Sequence, residues 1–100
     1  MTKLITFFEF ENVDIRAGTI IFAEINNNLK KPAITLKIDF GNEIGIKKSS
    51  AQLTKNYDFK KLINKQIAAV VNFRPKQIGN IISEVLVLGF PDHENEPILV

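Results

Sequence analysis

Four consecutive residues, Lys47-Lys48-Ser49-Ser50, place two ammonium groups beside two hydroxyls. Cations and hydroxyl donors are the groups that hold phosphate oxygens. Lys30 and Lys31 precede Pro32 in an asparagine-rich stretch, and Arg74 and Lys76 flank Pro75 in a second turn-forming stretch. The bases are unevenly spread. Residues 1–29 carry a net −2, residues 30–76 carry +8 and residues 77–100 carry −4, so a chain of net charge +2 has a strongly basic middle. Such a middle is either a footprint for a polyanion or a solvated surface, and composition leaves the two in balance.

Other chemistry is thinly supplied. The chain has no cysteine, which excludes disulfides, zinc-thiolate sites, iron–sulfur clusters and thiol nucleophiles. His93 is the sole histidine, so no histidine–nucleophile pair supports an enzyme, and no cofactor is expected. Asp92, Glu94 and Glu96 near it could hold a metal only weakly; solvation is the simpler fate of His93, and no metal site is assigned. Glu84 lies in an otherwise apolar run and needs a partner: Arg16, a backbone amide or a nucleobase. Asn72 poses the same choice. Phe7, Phe8 and Phe10 crowd a segment too short to be stable alone. They pack either on the protein's own barrel or on a second subunit.

These groups need a scaffold. Thr6-Phe7-Phe8-Glu9 has the spacing of a capping box and predicts a short helix from Phe7 to Asn12. Val13–Glu24 reads as a long strand, with a bulge or sharp bend at Gly18. Asn26–Pro32 is a loop carrying Lys30 and Lys31. In Ala33–Phe40, Ile34, Leu36, Ile38 and Phe40 alternate with Thr35, Lys37 and Asp39, the pattern of a half-buried strand. Gly41-Asn42 turns the chain into a strand over Glu43–Lys48, which Ser49-Ser50 closes. Ala51–Lys65 is helical in pattern, with Leu53, Tyr57, Leu62 and Ile63 apolar and Asp58 capping Phe59–Asn64. Gln66–Phe73 and Ile81–Phe90 are apolar strands whose two faces should both be covered, linked by Arg74–Asn80. The tail is acidic, and Ile98–Val100 can add a short edge strand.

Five strands with a helix between the third and fourth is the plan of an all-β, five-stranded Greek-key barrel, the OB-fold. Closure removes exposed strand edges. At 100 residues, with 45% hydrophobic and 24% charged, the chain suits one domain: a helix over 6–12, a barrel over 13–90 and an acidic tail over 91–100. No apolar run approaches the roughly 20 residues of a membrane helix, so no membrane insertion is expected. Met1–Glu11 does not read as a signal peptide, and the expected location is the cytoplasm.

Val13-Asp14-Ile15-Arg16-Ala17-Gly18 resembles the opening of the tRNA-binding barrel domains appended to methionyl-tRNA synthetases and synthetase-associated cofactors. Lys37–Gly41, Val70–Phe73 and Ser83–Leu86 look like later motifs of that family. Lys31-Pro32-Ala33, Ile44–Gln52 and Val85–Asp92 are similar to its free-standing CsaA branch of secretion-associated export chaperones. The likeness spans residues 7–92. It implies a non-catalytic homodimer that binds tRNA or single-stranded nucleic acid, with a proposed ability to hold unfolded or preprotein segments. It places Lys47, Lys48, Ser49, Ser50 and Gln52 on the family's third-strand binding motif. Asn72, Arg74, Lys76 and Gln77 fall on the fourth-strand and loop motif, and Ser83 and Glu84 on the fifth. The chain departs from the pattern at Asn26–Leu29, and it ends at Val100 where many relatives continue, so any dimer contact made by that longer tail is expected to be absent or altered.

With Lys30 and Lys31 in one loop and Arg74 and Lys76 in another, the basic loops and Lys47–Ser50 would clamp a bent RNA backbone from one rim. Stacking groups are scarce: there is no tryptophan, Tyr57 is the one tyrosine, and phenylalanines on strands are usually core. The expected binding is modest, salt-sensitive and weakly sequence-specific. The competing reading is a chaperone whose Phe7, Phe8 and Phe10 hold extended peptides at a dimer groove.

Overall fold

Five residues are too few for a helix to hold by itself, and α1 (Phe7–Glu11) exists because its ends are stitched. Thr6 Oγ1 accepts from the Glu9 amide and Glu9 Oε1 accepts from the Thr6 amide, both at 3.0 Å, completing the expected capping box. The structure, a computed structural model, describes residues 2–26, 33–51, 58–91 and 97–100. The long first strand is β1 (Ile15–Asn26), followed by β2 (Ala33–Asp39) and β3 (Ile46–Ala51). After the third strand come a 3-10 turn (Phe59–Leu62) and β4 (Gln66–Val70). The rest is short: β5 (Lys76–Ile78), β6 (Ile81–Ser83), β7 (Leu86–Val87), β8 (Gly89–Pro91) and β9 (Pro97–Leu99).

The main sheet runs β3-β2-β1-β4-β7, with every pairing antiparallel. β1 serves two neighbours. Its Ile15–Thr19 half pairs with β4 and its Thr19–Asn26 half pairs with β2. The register shift falls between Ile20 and Phe22, not at Gly18 as expected. Gly18 has a different duty. A Cβ there would stand 2.6 Å from Ile38 Cγ2 and 2.7 Å from the Phe40 ring. Ile38 is fully buried, so it cannot swing aside. Gly18→Ala therefore overpacks the barrel and costs about 1–3 kcal/mol, read as a lower urea midpoint with unchanged slope.

Alternation over β2 gives what the pattern demands: Ile34, Leu36 and Ile38 point inward and are buried, while Lys37 is exposed. They meet Ile20, Leu62, Ile67, Ala69 and Val85 in one core. Gly41 and Gly45, at φ +93° and +83°, carry the turn into β3 in the left-handed region that favours glycine. That strand starts later than expected and contains Ser49 and Ser50 rather than ending before them.

Two expectations are corrected. The stretch before β4 holds a 3-10 turn where an α-helix over Phe59–Asn64 was expected; Leu53 and Tyr57 lie outside the described residues. Asp58 does cap it, accepting from the Lys60 amide at 3.1 Å. It stops early because Ile63 is extended and Asn64 is left-handed at φ 71°, its amide donating to Ile20 O at 2.7 Å. Leu62 is thereby driven into the core. The expected strand Ile81–Phe90 is broken into three pieces, and the supposed linker before it supplies β5, which forms a hairpin with β6 through Gly79 at φ +60°. Its apolar run is not covered on both faces within the chain: Ile82 and Leu86 are half exposed.

The break at 84–85 closes the barrel. Glu84 N–H donates to Lys48 O at 2.8 Å, and the Glu84 carboxylate accepts from the Lys48 amide at 3.0 Å. The Ser83 hydroxyl accepts from the Ser50 amide at 3.3 Å, and Ser49 Oγ donates to Val85 O at 3.1 Å. Two side chains and one backbone amide thus satisfy the free edge of β3 where a neighbouring strand would. The expected edge strand is present, since β9 pairs with β8, and the Val100 carbonyl accepts from the Ala68 amide at 3.2 Å. Among the described residues no helix is long and apolar enough to cross a membrane.

Candidate nucleic-acid interface

Between β3 and the β5–β6 hairpin lies an open groove of about 390 Å³. Ser50 and Glu84 form one side, Arg74 and Lys76 bring charge, and Phe73 and Ile78 add apolar surface. Each arrives there for a local reason. Ser50 sits on the outward face of β3, because Ser49 beside it faces the core. Lys48, two residues before Ser50, shares that outward face and is exposed. Phe73 and Arg74 leave the end of β4 just after Asn72, whose side chain is tied at both ends. Asn72 Oδ1 accepts from the Asp14 amide at 3.0 Å, and its Nδ2 donates to Asn12 O at 2.7 Å. The start of β1 and the exit of β4 are clasped together, so the groove's aromatic and cation emerge from an anchored point.

The site residues named from sequence divide accordingly. Ser50, Arg74, Lys76, Ser83 and Glu84 line the groove. Lys47 and Lys48, adjacent in sequence, part to opposite faces of the strand. Lys47 is half-buried with Nζ 4.0 Å from Glu84 Oε2. Ser49 is buried, so its hydroxyl serves the barrel seam and not a phosphate. Gln77 Nε2 donates to Gly79 O at 2.6 Å and shapes the hairpin tip. Of the partners open to Glu84, the structure selects the Lys48 backbone amide and not Arg16. Arg16 instead bridges Asp14 at 2.7 Å and Glu43 at 3.5 Å. The hydrogen bond from Arg16 holds the Asp14 carboxyl below its ordinary value, while the Asp14 and Glu43 acceptors raise Arg16. Lys30, Lys31 and Gln52 lie outside the described residues, as do Asp92, His93, Glu94 and Glu96. Among the described residues no group of three or more His, Asp or Glu could hold a metal ion.

Two features escape the sequence reading. Phe73 is 57% exposed in the groove and offers a flat apolar face beside Arg74. Its one signal is position: a phenylalanine at the end of an apolar run, followed by arginine and proline. Outside the groove, Phe22, Lys37 and Lys48 stand in register across β1, β2 and β3, with Lys37 Nζ 4.9 Å from the Phe22 ring centre. Phe7, Phe8 and Phe10 are not packed on the barrel: they are 75%, 71% and 50% exposed, with the Phe7 and Phe10 rings 6.4 Å apart.

Residues 15–100 match the family described as "Putative tRNA binding domain". The chain belongs to the tRNA-binding domain family. Within it the chain is CsaA-like: the crystal structure of the CsaA chaperone protein from Picrophilus torridus superposes with a TM-score of 0.91 at 52% identity, covering 97% of this chain and 89% of that one. The chaperone CsaA from Bacillus anthracis gives a TM-score of 0.91 at 46% identity over 98% of this chain and 88% of its own. These likenesses confirm the OB-like barrel. The methionine–tRNA ligase of Methanococcoides burtonii is 35% identical over 97% of this tRNA-binding domain, which spans only 14% of that ligase.

Proposed function

We propose that this tRNA-binding domain works by binding rather than catalysis and grips a single-stranded segment of a structured RNA, tRNA foremost. The observation that carries the reading is the groove, where Phe73, Arg74 and Lys76 face the Ser50 side of β3. Arginine and lysine hold phosphates, and an exposed aromatic stacks an unpaired base, which a duplex cannot supply. A salt titration of tRNA binding tests it. If Lys48, Arg74 and Lys76 neutralise three phosphates, the log–log slope is about −2, so a fourfold rise in salt weakens binding roughly 20-fold. Affinity indifferent to salt would rule the reading out.

A second role is supported by a separate observation. Leu4, Ile5, Phe7 and Phe8 are all more than 60% exposed, a contiguous apolar segment that water does not favour. We assign this segment to a homodimer contact and to the holding of unfolded or preprotein peptides in a secretion-related chaperone role in the cytoplasm, as in a CsaA-like protein. Phe8→Asp should convert a dimer into an 11.3 kDa monomer by sedimentation and abolish suppression of aggregation of an unfolded substrate, in low and high salt alike. A wild-type chain that sediments only as the monomer contradicts the dimer.

A further inference from the structure

One group in the groove runs against phosphate binding. Glu84 brings a carboxylate, 31% exposed, to the groove it lines together with Arg74 and Lys76. A negative charge there repels an RNA backbone, and its bond in the barrel seam occupies only one of its two oxygens. Its orientation is set: Oε1 accepts from the Lys48 amide at 3.0 Å, and the Glu84 amide donates back to Lys48 O at 2.8 Å. Among the described residues Oε2 has no partner nearer than Lys47 Nζ at 4.0 Å. A carboxylate has about four acceptor positions and no donor, so among the described residues most of its capacity is unspent.

The same groove offers Phe73 as a stacking surface and Arg74 and Lys76 for the flanking phosphates. An acceptor-only group selects among bases by chemistry. Guanine alone carries two adjacent N–H donors on its Watson–Crick edge, at N1 and N2, spaced to meet both oxygens of one carboxylate. Adenine and cytosine set a single amino donor beside a ring-nitrogen acceptor, and uracil sets its N–H between two carbonyls; each puts an acceptor against the carboxylate. We infer that the groove reads one unstacked guanine of a single-stranded RNA segment, with Phe73 against the base and Glu84 on its Watson–Crick edge. This rests on the RNA-binding reading and adds selectivity at one position to a grip otherwise set by charge.

The test is fluorescence anisotropy of the full chain with labelled pentaribonucleotides UUNUU. The guanine pentamer binds about tenfold tighter than the other three, within the range of a bidentate base contact. Inosine at the same position, which lacks the 2-amino group, binds less tightly than guanine. Glu84→Gln keeps an acceptor for the Lys48 amide but presents a donor beside it; it abolishes the guanine preference and shifts it towards adenine, while UUUUU, relieved of a repelling charge, binds no less tightly than to the wild type. Equal affinity for all four pentamers, inosine matching guanine, or a guanine preference that survives in Glu84→Gln overturns the inference and leaves RNA binding standing. Failure of all four pentamers to bind overturns both.

Discussion

Alanine at Lys48, Arg74 and Lys76 together lowers affinity for tRNA about a hundredfold at 0.1 M salt. The magnitude follows from counterion release, which contributes roughly 0.7 of a log unit per phosphate for each tenfold dilution of salt. Leaving three phosphates without their cations takes about two units off the slope, and the difference between 1 M and 0.1 M salt is then about a hundredfold. The loss is uniform across RNA sequences, because charge positions the backbone and carries no base information. Lys47→Ala is the internal control. Its side chain leaves the other face of β3 and its ammonium is engaged 4.0 Å from Glu84, so its removal has a much smaller effect. A Lys47→Ala defect as large as the triple variant's would show that the two neighbouring lysines act as one unit, and the groove would lose its place as the site. Filter binding over a range of salt concentrations measures both slope and intercept.

What the sequence made legible was local. Thr6 and Glu9 announce a cap because their partners are three residues apart, and Ala33–Asp39 announces a strand because its alternation meets one core. What it hid was non-local. Ser49, Ser83 and Glu84 fall in binding motifs, and they also close the barrel through hydrogen bonds spanning 33 to 36 residues. No window of pattern sees such a seam. The continuous apolar run at 81–90 hid the break at Glu84, since periodicity cannot tell a buried strand from one interrupted by side-chain bonds. Lys47 and Lys48 are adjacent in sequence and divided by the pleat. Phe73 has the composition of a core residue and an exposed place in the groove lining, a difference only the third dimension supplies.

The clasp at Asn72 joins scaffold to site. Its amide holds Asn12 and Asp14, so the exit of α1, the start of β1 and the departure of β4 converge beside Phe73. The resemblance implied RNA contact for this residue. Both ends of its side chain are bonded to backbone, which anchors the point from which Phe73 and Arg74 depart.

Leu36→Ala gives the largest loss of stability and separates folding from binding. Leu36 is fully buried at the middle of β2, opposite Ala23 of β1 and Ser49 of β3. Neighbours on two strands are locked by ladder hydrogen bonds, so the space it leaves cannot collapse. A leucine cavity of this kind costs about 2–5 kcal/mol, against a total of roughly 5–15 kcal/mol for a domain. At this chain length each kcal/mol lowers the thermal midpoint by about 4–8 °C, so the expected fall is at least about 8 °C. The groove faces outward from β3 and the β5–β6 hairpin, and Leu36 does not line it. The folded fraction therefore binds tRNA with wild-type affinity. Ligand at a hundred times its dissociation constant adds about 2.7 kcal/mol to either protein, so tRNA raises both midpoints by a similar free energy. A Leu36→Ala protein that melts normally would displace Leu36 from the core. One that folds but has lost tRNA would show that the groove's geometry depends on the packing beneath it.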